Sequence, residues 1–235
     1  MSLLAGVCDF AQSYNHQLPD YICEQTTTRS ESQATTVLKA QVTFEKGHER
    51  YSNVTVNGKP VDAVSSSDST IKFISSGELG SNLVNLFNPA TVAEFKFRGE
   101  DNLSGSLSSV FHFHIAAGKN TFWALRNSRG STVRPEYEGE VWVDRQSGRL
   151  LRLHLRPLHL PEWFGFSRAE IVIDYSMVAI AELGTFLLPS GSDTTVCVNV
   201  PRSRVPSCTK NALVFDHCRK FSVKTRIKVR DQQQQ

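Results

Sequence analysis

The sequence has little of what marks several large functional classes. Across its 235 residues, no apolar run approaches the length of about 20 residues that crosses a bilayer as a helix. It has no Cys-x-x-Cys pair of the kind that binds zinc or carries redox chemistry. The motifs Gly-x-Ser-x-Gly, His-Glu-x-x-His, Gly-x-x-x-x-Gly-Lys and Gly-x-Gly-x-x-Gly are also missing. We therefore expect a protein that is not an enzyme and uses no cofactor.

The overall charge is nearly balanced, but basic residues accumulate near the end of the given sequence. The net charge is only +3, from 26 Lys and Arg against 23 Asp and Glu. From Lys224 to Arg230, basic residues occupy alternate positions and so share one face of a predicted strand. We interpret this face as a solvated sheet edge, with an anionic membrane surface or an acidic protein as the alternative partner. Because no exposed aromatics interleave the stripe, it does not indicate nucleic acid.

The five cysteines contain one pair whose spacing predicts a disulfide. Cys197 and Cys208 flank a segment with two prolines that is typical of a loop between strands. Such positions face each other across a hairpin, where a disulfide closes a short loop, and buried free thiols are the alternative. The states of Cys8, Cys23 and Cys218 are left open. A disulfide requires an oxidising compartment, so we expect an exported protein whose secretion signal has been removed.

Alternation of apolar and polar residues is the dominant pattern. In the segment 138–155, Leu151, Leu153 and Leu155 alternate with polar residues after the turn signal Asp144–Gly148, which predicts an antiparallel hairpin. Similar alternation elsewhere predicts roughly ten strands. The sheet they form must have one apolar face that needs covering, curvature or a ligand.

Two helices are predicted. The first has an apolar stripe from Val7 to Leu18, and Pro19 ends it. The second begins with the capping box Ser75-x-x-Glu78 and has a stripe from Leu79 to Phe87. Because no linker or repeat divides the chain, we predict one domain over 1–230 and a disordered tail over 231–235.

The order of these elements resembles a known family. The leading helix, the sheet with a helical insertion and the run Trp-Val-Asp-x-x-Ser-Gly-x-x-Leu-Arg-Leu in 138–155 resemble the periplasmic lipoprotein-carrier (LolA/LolB-like) fold. The segments 51–60, 76–80, 138–153 and 185–189 are most similar to uncharacterised exported proteins of acidobacterial type. The resemblance implies an α+β fold, a strongly curved antiparallel sheet (half-barrel) with helices on the concave side. It also implies a periplasmic protein that holds acyl chains or another hydrophobic small molecule without covalent chemistry.

Aromatic and apolar side chains are the candidate ligand-binding residues, with ordinary core packing as the alternative. The candidates are Phe95, Phe97, Phe111, Phe113, Trp123, Leu153, Trp163 and Phe164. The last two belong to the segment Pro157–Phe166, whose prolines exclude a central strand and which we interpret as a plug over the mouth of the sheet. The alternative is an exposed patch that recognises a protein.

The pair His112 and His114 is the one candidate for a metal site. Alternate positions on a strand place both rings on one face, but two histidines are too few, and no nearby residue completes a set of ligands. We interpret them as a solvated face and predict no metal. The sequence thus favours an extracytoplasmic protein that binds a lipid or other hydrophobic ligand. The alternative is an interaction or envelope-sensing module that uses the basic face or the segment 157–166.

Overall fold

One large antiparallel sheet with helices on one face makes up the fold. The computed structural model describes residues 3–31, 34–45, 48–61, 81–120, 123–127, 129–200, 202–203 and 205–221. The helices are Leu3–Gln17 (α1) and Ser81–Leu86 (α2). The strands are Tyr21–Glu31 (β1), Ala34–Glu45 (β2), His48–Val56 (β3), Lys59–Pro60 (β4), Glu94–Leu103 (β5), Ser106–Ile115 (β6), Leu125–Arg126 (β7), Thr132–Val133 (β8), Tyr137–Asp144 (β9), Leu150–Pro157 (β10), Phe166–Ile180 (β11), Gly184–Val198 (β12) and Ser207–Lys220 (β13).

The strand order places the last strand in the interior of the sheet. The eleven strands run β4-β3-β2-β1-β13-β12-β11-β10-β9-β6-β5, and β7 and β8 form a separate small hairpin. Every pairing along the large sheet is antiparallel. Because β4 and β5 end the order at opposite edges, the sheet is open and is not a closed barrel. β13 alone joins β1 to β12.

The main core lies between the two helices and the central strands. Val7, Ala11 and Tyr14 of α1 and Leu83 and Leu86 of α2 are buried in one cluster with strands β6 and β9–β12. Full burial of a large apolar side chain stabilises a fold by about 1.5–3 kcal/mol, so this cluster fixes the helices on this face. The predicted stripe of α1 is confirmed. Neither described helix has the length and apolarity that crossing a bilayer requires.

Several predictions fall outside the described residues. They are the capping box Ser75–Glu78, the basic face Lys224–Arg230 and the tail 231–235.

The hairpin of β9 and β10 is present, but its alternation is broken once. A register shift lies between Leu150 and Arg152, so Leu150, Leu153 and Leu155 are buried. Leu151 is only half-buried, and its predicted place beside Leu153 on the core face is wrong. The bulge adds one residue to β10, which moves the next side chain to the other face.

Two disulfides bond β13 to the strands on either side. Cys197 and Cys208 are directly paired across β12 and β13 and form the predicted disulfide. Cys23 of β1 and Cys218 of β13 form a second one, across a sequence separation of 195 residues. The thiol of Cys8 is free, and partial burial raises its pKa.

Candidate functional site

An apolar cavity opens where α1 crosses one end of the sheet. Its volume is about 540 Å³, and it is half open to solvent. Small-molecule sites have volumes of about 300–1,000 Å³ and mostly apolar walls. We call it the α1 cavity, and its lining residues are Leu3, Gly6, Phe10, Tyr14, Leu18, Ser147, Gly148, Arg149, Met177, Thr185, Phe186 and Leu187.

Tyr14 fixes the helical wall of the α1 cavity. Its hydroxyl donates to the backbone carbonyl of Leu187 in β12 at 3.0 Å, and its ring contacts Phe10 edge to face at 5.2 Å between centroids. Burial raises the pKa of Tyr14, so the phenol keeps its proton and remains a donor. The contact holds α1 against β12 while leaving the neighbouring space open.

Gly6 leaves part of the cavity unfilled. A Cβ atom built on Gly6 meets no heavy atom within 4 Å, and its φ lies outside the region that disfavours side chains. Glycine inside a helix costs about 0.5–1 kcal/mol relative to alanine. The helix therefore gives up some stability at a position that borders the cavity.

The turn between β9 and β10 supplies Arg149, the charged residue among the described residues of the cavity wall. The Ser147 hydroxyl donates to Asp144 Oδ1 at 2.5 Å, and the Ser147 backbone N–H donates to the same oxygen at 2.6 Å. The hydrogen bond from the Ser147 side chain, together with that from its backbone, lowers the pKa of Asp144. Arg149 Nε donates to Ser147 Oγ at 2.9 Å. The charge of Arg149 also acts on Asp144, but none of the close ion pairs among the described residues includes Arg149, and its exposed side chain can meet an anion at the rim.

The eight residues predicted from the sequence lie elsewhere. Phe113 and Leu153 are fully buried in the main core, and Phe95, Phe111 and Trp123 pack against it. Phe97 is exposed beside Phe111 near the β5 edge. Trp163 and Phe164 lie at the opposite end of β11 from the α1 cavity. None of the eight lines the α1 cavity.

The segment 157–166 divides between core and solvent. Phe164 packs with Phe166 and Ala169 in a small cluster, and Ala169 shares the helix-side face of β11 with Ile171. Trp163 is 61% exposed. Part of the segment thus packs against the sheet at its own end of β11, away from the α1 cavity.

A second cavity, beside this segment, has a different chemistry. It has a volume of about 620 Å³, and Arg156, His159, Arg168 and Glu170 are among its lining residues. Arg156 is paired with Glu138, and Arg168 is paired with Glu170. Because several charged side chains line it, this second cavity suits an apolar ligand less well than the α1 cavity does.

The predicted histidine face carries carboxylate partners that the sequence did not reveal. His112 Nε2 lies 3.1 Å from Glu138 Oε2, and His114 Nε2 lies 2.6 Å from Glu136 Oε1. Hydrogen bonding to His114 lowers the pKa of Glu136. In the described ranges no group of three or more His, Cys, Asp or Glu side chains has the geometry to hold a metal ion. The two imidazoles therefore meet separate carboxylates on the face opposite the helices.

Comparisons with known proteins give similar folds at low identity. No protein-family model and no curated protein matches the chain. Similar solved structures include a domain described as an outer membrane lipoprotein-sorting protein from Vibrio parahaemolyticus, with 10% identity, a TM-score of 0.45 and 93% of each chain covered. A DUF1329 family protein from Desulfovibrio piger has 11% identity, a TM-score of 0.43 and 94% of each chain covered.

A third similar structure is the Pseudomonas aeruginosa MucA/MucB complex, at 9% identity and a TM-score of 0.25, with 90% of this chain and 94% of that chain covered. The resemblance drawn from the sequence is to the lipoprotein-carrier (LolA/LolB-like) fold, and the first of these structures is described as a lipoprotein-sorting domain. At these TM-scores the likenesses decide nothing about a ligand or partner.

Proposed function

We propose that this protein binds a hydrophobic ligand in the α1 cavity, outside the cytoplasm and without catalysing a reaction. The observation that carries the proposal is the half-open apolar cavity of about 540 Å³ between α1 and β12. An open apolar wall in contact with water costs free energy of about 25 cal/mol per Å², which a bound apolar chain recovers. As part of this proposal, residues 1–230 form a single domain.

The shape and charge of the cavity favour an amphiphile. Phe10, Phe186 and Leu187 provide apolar contact for a chain, while Arg149 lies at the rim beside the polar Ser147. A guanidinium forms two parallel hydrogen bonds with a carboxylate or phosphate, so an anionic head group fits this position. A fatty acid, with its chain along α1 and its carboxylate at Arg149, is the simplest ligand of this class.

The disulfides support the proposed location. Both bonds join neighbouring strands of the sheet, and such bonds persist in oxidising compartments. We place the protein in the periplasm or a comparable compartment.

As a further part of the proposal, the sheet curves as a half-barrel around α1 and α2. The ligand site predicted from the sequence, with its eight aromatic and apolar residues on the concave face, stays a separate proposal, and Phe97 and Trp163 are its exposed members.

Filling the cavity from the helix should abolish binding. The variant Gly6→Phe places a ring in the open space, and we expect a loss of at least about tenfold in affinity for a fluorescent fatty acid. Its stability should not fall, because residue 6 gains helix propensity and meets no atom within 4 Å at Cβ. Displacement titration and chemical denaturation measure the two quantities.

Gly6→Ala is the matched control for this change. It removes the same glycine but adds only one methyl group, so binding should stay near that of the original protein while stability rises by about 0.5–1 kcal/mol. Full fatty-acid affinity in Gly6→Phe, with the fold intact, would contradict the assignment of the cavity. Native mass spectrometry of the gently purified protein gives an independent check for a bound apolar molecule.

Arg149 should set the preference for the head group. In Arg149→Gln, we expect the affinity for a fatty acid to fall about tenfold, because a charge-assisted contact of about 1.4 kcal/mol is lost. The affinity for a fatty alcohol of the same chain length should be unchanged. Arg149→Lys keeps the charge and should retain part of the preference. Equal losses for acid and alcohol would show that Arg149 acts on packing and not on the head group.

A further inference from the structure

One end of the sheet carries an apolar tip that the α1 cavity does not use. The exposed fraction is 61% for Trp163, 72% for Val205, 38% for Val200 and 36% for Leu158. These residues lie on two loops, one between β10 and β11 and the other between β12 and β13. Exposed apolar side chains gathered in one region mark contact surfaces for proteins or membranes.

Hydrogen bonds hold the loops of the tip together. Asn199 N donates to the Gly165 carbonyl at 3.0 Å, which joins the two loops. Asn127 Nδ2 donates to the Phe164 carbonyl at 3.1 Å, which ties in the β7–β8 hairpin. Phe164 is buried, and the Trp163 ring meets it edge to face at 5.8 Å between centroids. The indole is therefore held outward by a fixed turn.

Four arginines lie on segments that neighbour the tip. Arg126, Arg129 and Arg134 are exposed on or beside the β7–β8 hairpin, and Arg202 is exposed on the loop after β12. None of the close ion pairs between described residues includes any of these four arginines. Glu162 is the exposed acid next to Trp163. The tip thus combines an indole and valines with a net positive rim.

We infer that this end of the molecule docks on an anionic lipid bilayer. Tryptophan favours the interfacial layer of a membrane, where its ring is apolar and its N–H stays hydrated. Each Lys or Arg close to an anionic surface contributes about 1 kcal/mol of attraction. Trp163, Val200 and Val205 are exposed on the loops and do not line the second cavity, which Leu158 borders. The exposed arginines on the neighbouring segments complement anionic head groups. A flat lipid surface therefore fits them better than a protein ridge.

The docked orientation directs the α1 cavity away from the bilayer. Met177 of the cavity lies eleven residues along β11 from Phe166 beside the tip, which is about 35 Å in an extended strand. The contact would serve as a tether that leaves the cavity open to the aqueous side. It does not depend on what the α1 cavity holds, and its test needs no cavity ligand.

Vesicle binding tests the docking surface. The whole protein should co-sediment with phosphatidylcholine vesicles that contain phosphatidylglycerol, and salt should weaken the binding. Trp163→Ser should lower the partition coefficient about tenfold, equivalent to about 1.4 kcal/mol. Replacing Arg129 and Arg202 by Glu should lower it by about fivefold or more for each residue. Leu107→Ser and Arg219→Glu, which change exposed residues at the other end of the sheet, should bind normally.

Tryptophan fluorescence keeps the test decisive if a variant folds poorly. Vesicles with brominated acyl chains should quench the fluorescence of the original protein, since the Trp163 indole enters the interface. In Trp163→Phe, vesicle binding should persist while most of the quenching disappears, because Trp123 packs against the main core and Trp142 lies towards the other end of β9. The inference is overturned if neutral and anionic vesicles bind equally, if the tip and control variants bind alike, or if Trp163→Phe retains the quenching.

Discussion

Removing the Cys23–Cys218 disulfide should lower the free energy of unfolding by about 5 kcal/mol, according to the loop-entropy relation. The bond closes a loop with a sequence separation of 195 residues, and the unfolded chain gains much freedom when it is cut. It also joins β1 to β13, where a bulge interrupts the pairing next to Cys23. The double variant Cys23→Ser/Cys218→Ser, unfolded in guanidinium chloride, measures the loss.

The second disulfide provides the comparison. Cys197 and Cys208 have a sequence separation of 11. By the same relation, the double variant Cys197→Ser/Cys208→Ser should therefore lower the free energy of unfolding by only about 3 kcal/mol. Both pairs link strands that neighbour each other in the sheet, so the difference in loop length is the main variable. A larger loss for the short loop than for the long one would contradict the entropic explanation.

Replacing Gly139 by alanine should lower the free energy of unfolding by about 4 kcal/mol or more, or prevent folding altogether. Gly139 of β9 lies opposite Leu155 of β10 and Phe113 of β6. A Cβ atom there would come within 1.8 Å of the His154 carbonyl oxygen and 2.6 Å of Phe113 Cζ. The contact with the carbonyl is to backbone, which can yield only if β9 and β10 separate. Expression yield and thermal unfolding of Gly139→Ala report the effect.

A control and a rescue test accompany the Gly139 prediction. Gly118→Ala should change the stability by no more than about 0.5 kcal/mol, because a Cβ at Gly118 meets nothing within 4 Å. Adding Phe113→Leu to Gly139→Ala removes the ring contact but leaves the clash with the carbonyl, so it should not restore stability. A stable Gly139→Ala protein would show that β9 and β10 lie farther apart at this point than the structure places them.

Local patterns in the sequence predicted the local parts of the fold. The α1 stripe and the β9–β10 hairpin depend on residues a few positions apart, and both are present. The Cys197–Cys208 pair spans a single loop and was predicted for the same reason. Cys23–Cys218 depends on β13 pairing with β1, which brings together residues from the two ends of the chain. No short-range pattern reports such a pairing, and the bulge at Leu150 was equally invisible.

The candidate site was the hardest part to predict. The sequence indicated that aromatic residues on strands line a ligand surface, but it did not show where the helices cover the sheet. Phe113 and Leu153 lie directly beneath that cover and are fully buried. Phe186 and Leu187 border the α1 cavity because α1 crosses the start of β12. The path of a helix over a sheet depends on tertiary packing, so Arg149 and Gly6 gained their significance only from the structure.

The interior position of β13 has a consequence for the order in which the protein assembles. β1 to β3 and β5 to β12 can pair among themselves early, but each group keeps an unpaired edge until residues 207–220 emerge. Non-local strand pairing is slow, and exposed edges are prone to aggregate in the meantime. The nascent chain would therefore benefit from a chaperone until β13 inserts, and oxidation of the two cysteine pairs to disulfides would then stabilise the completed sheet.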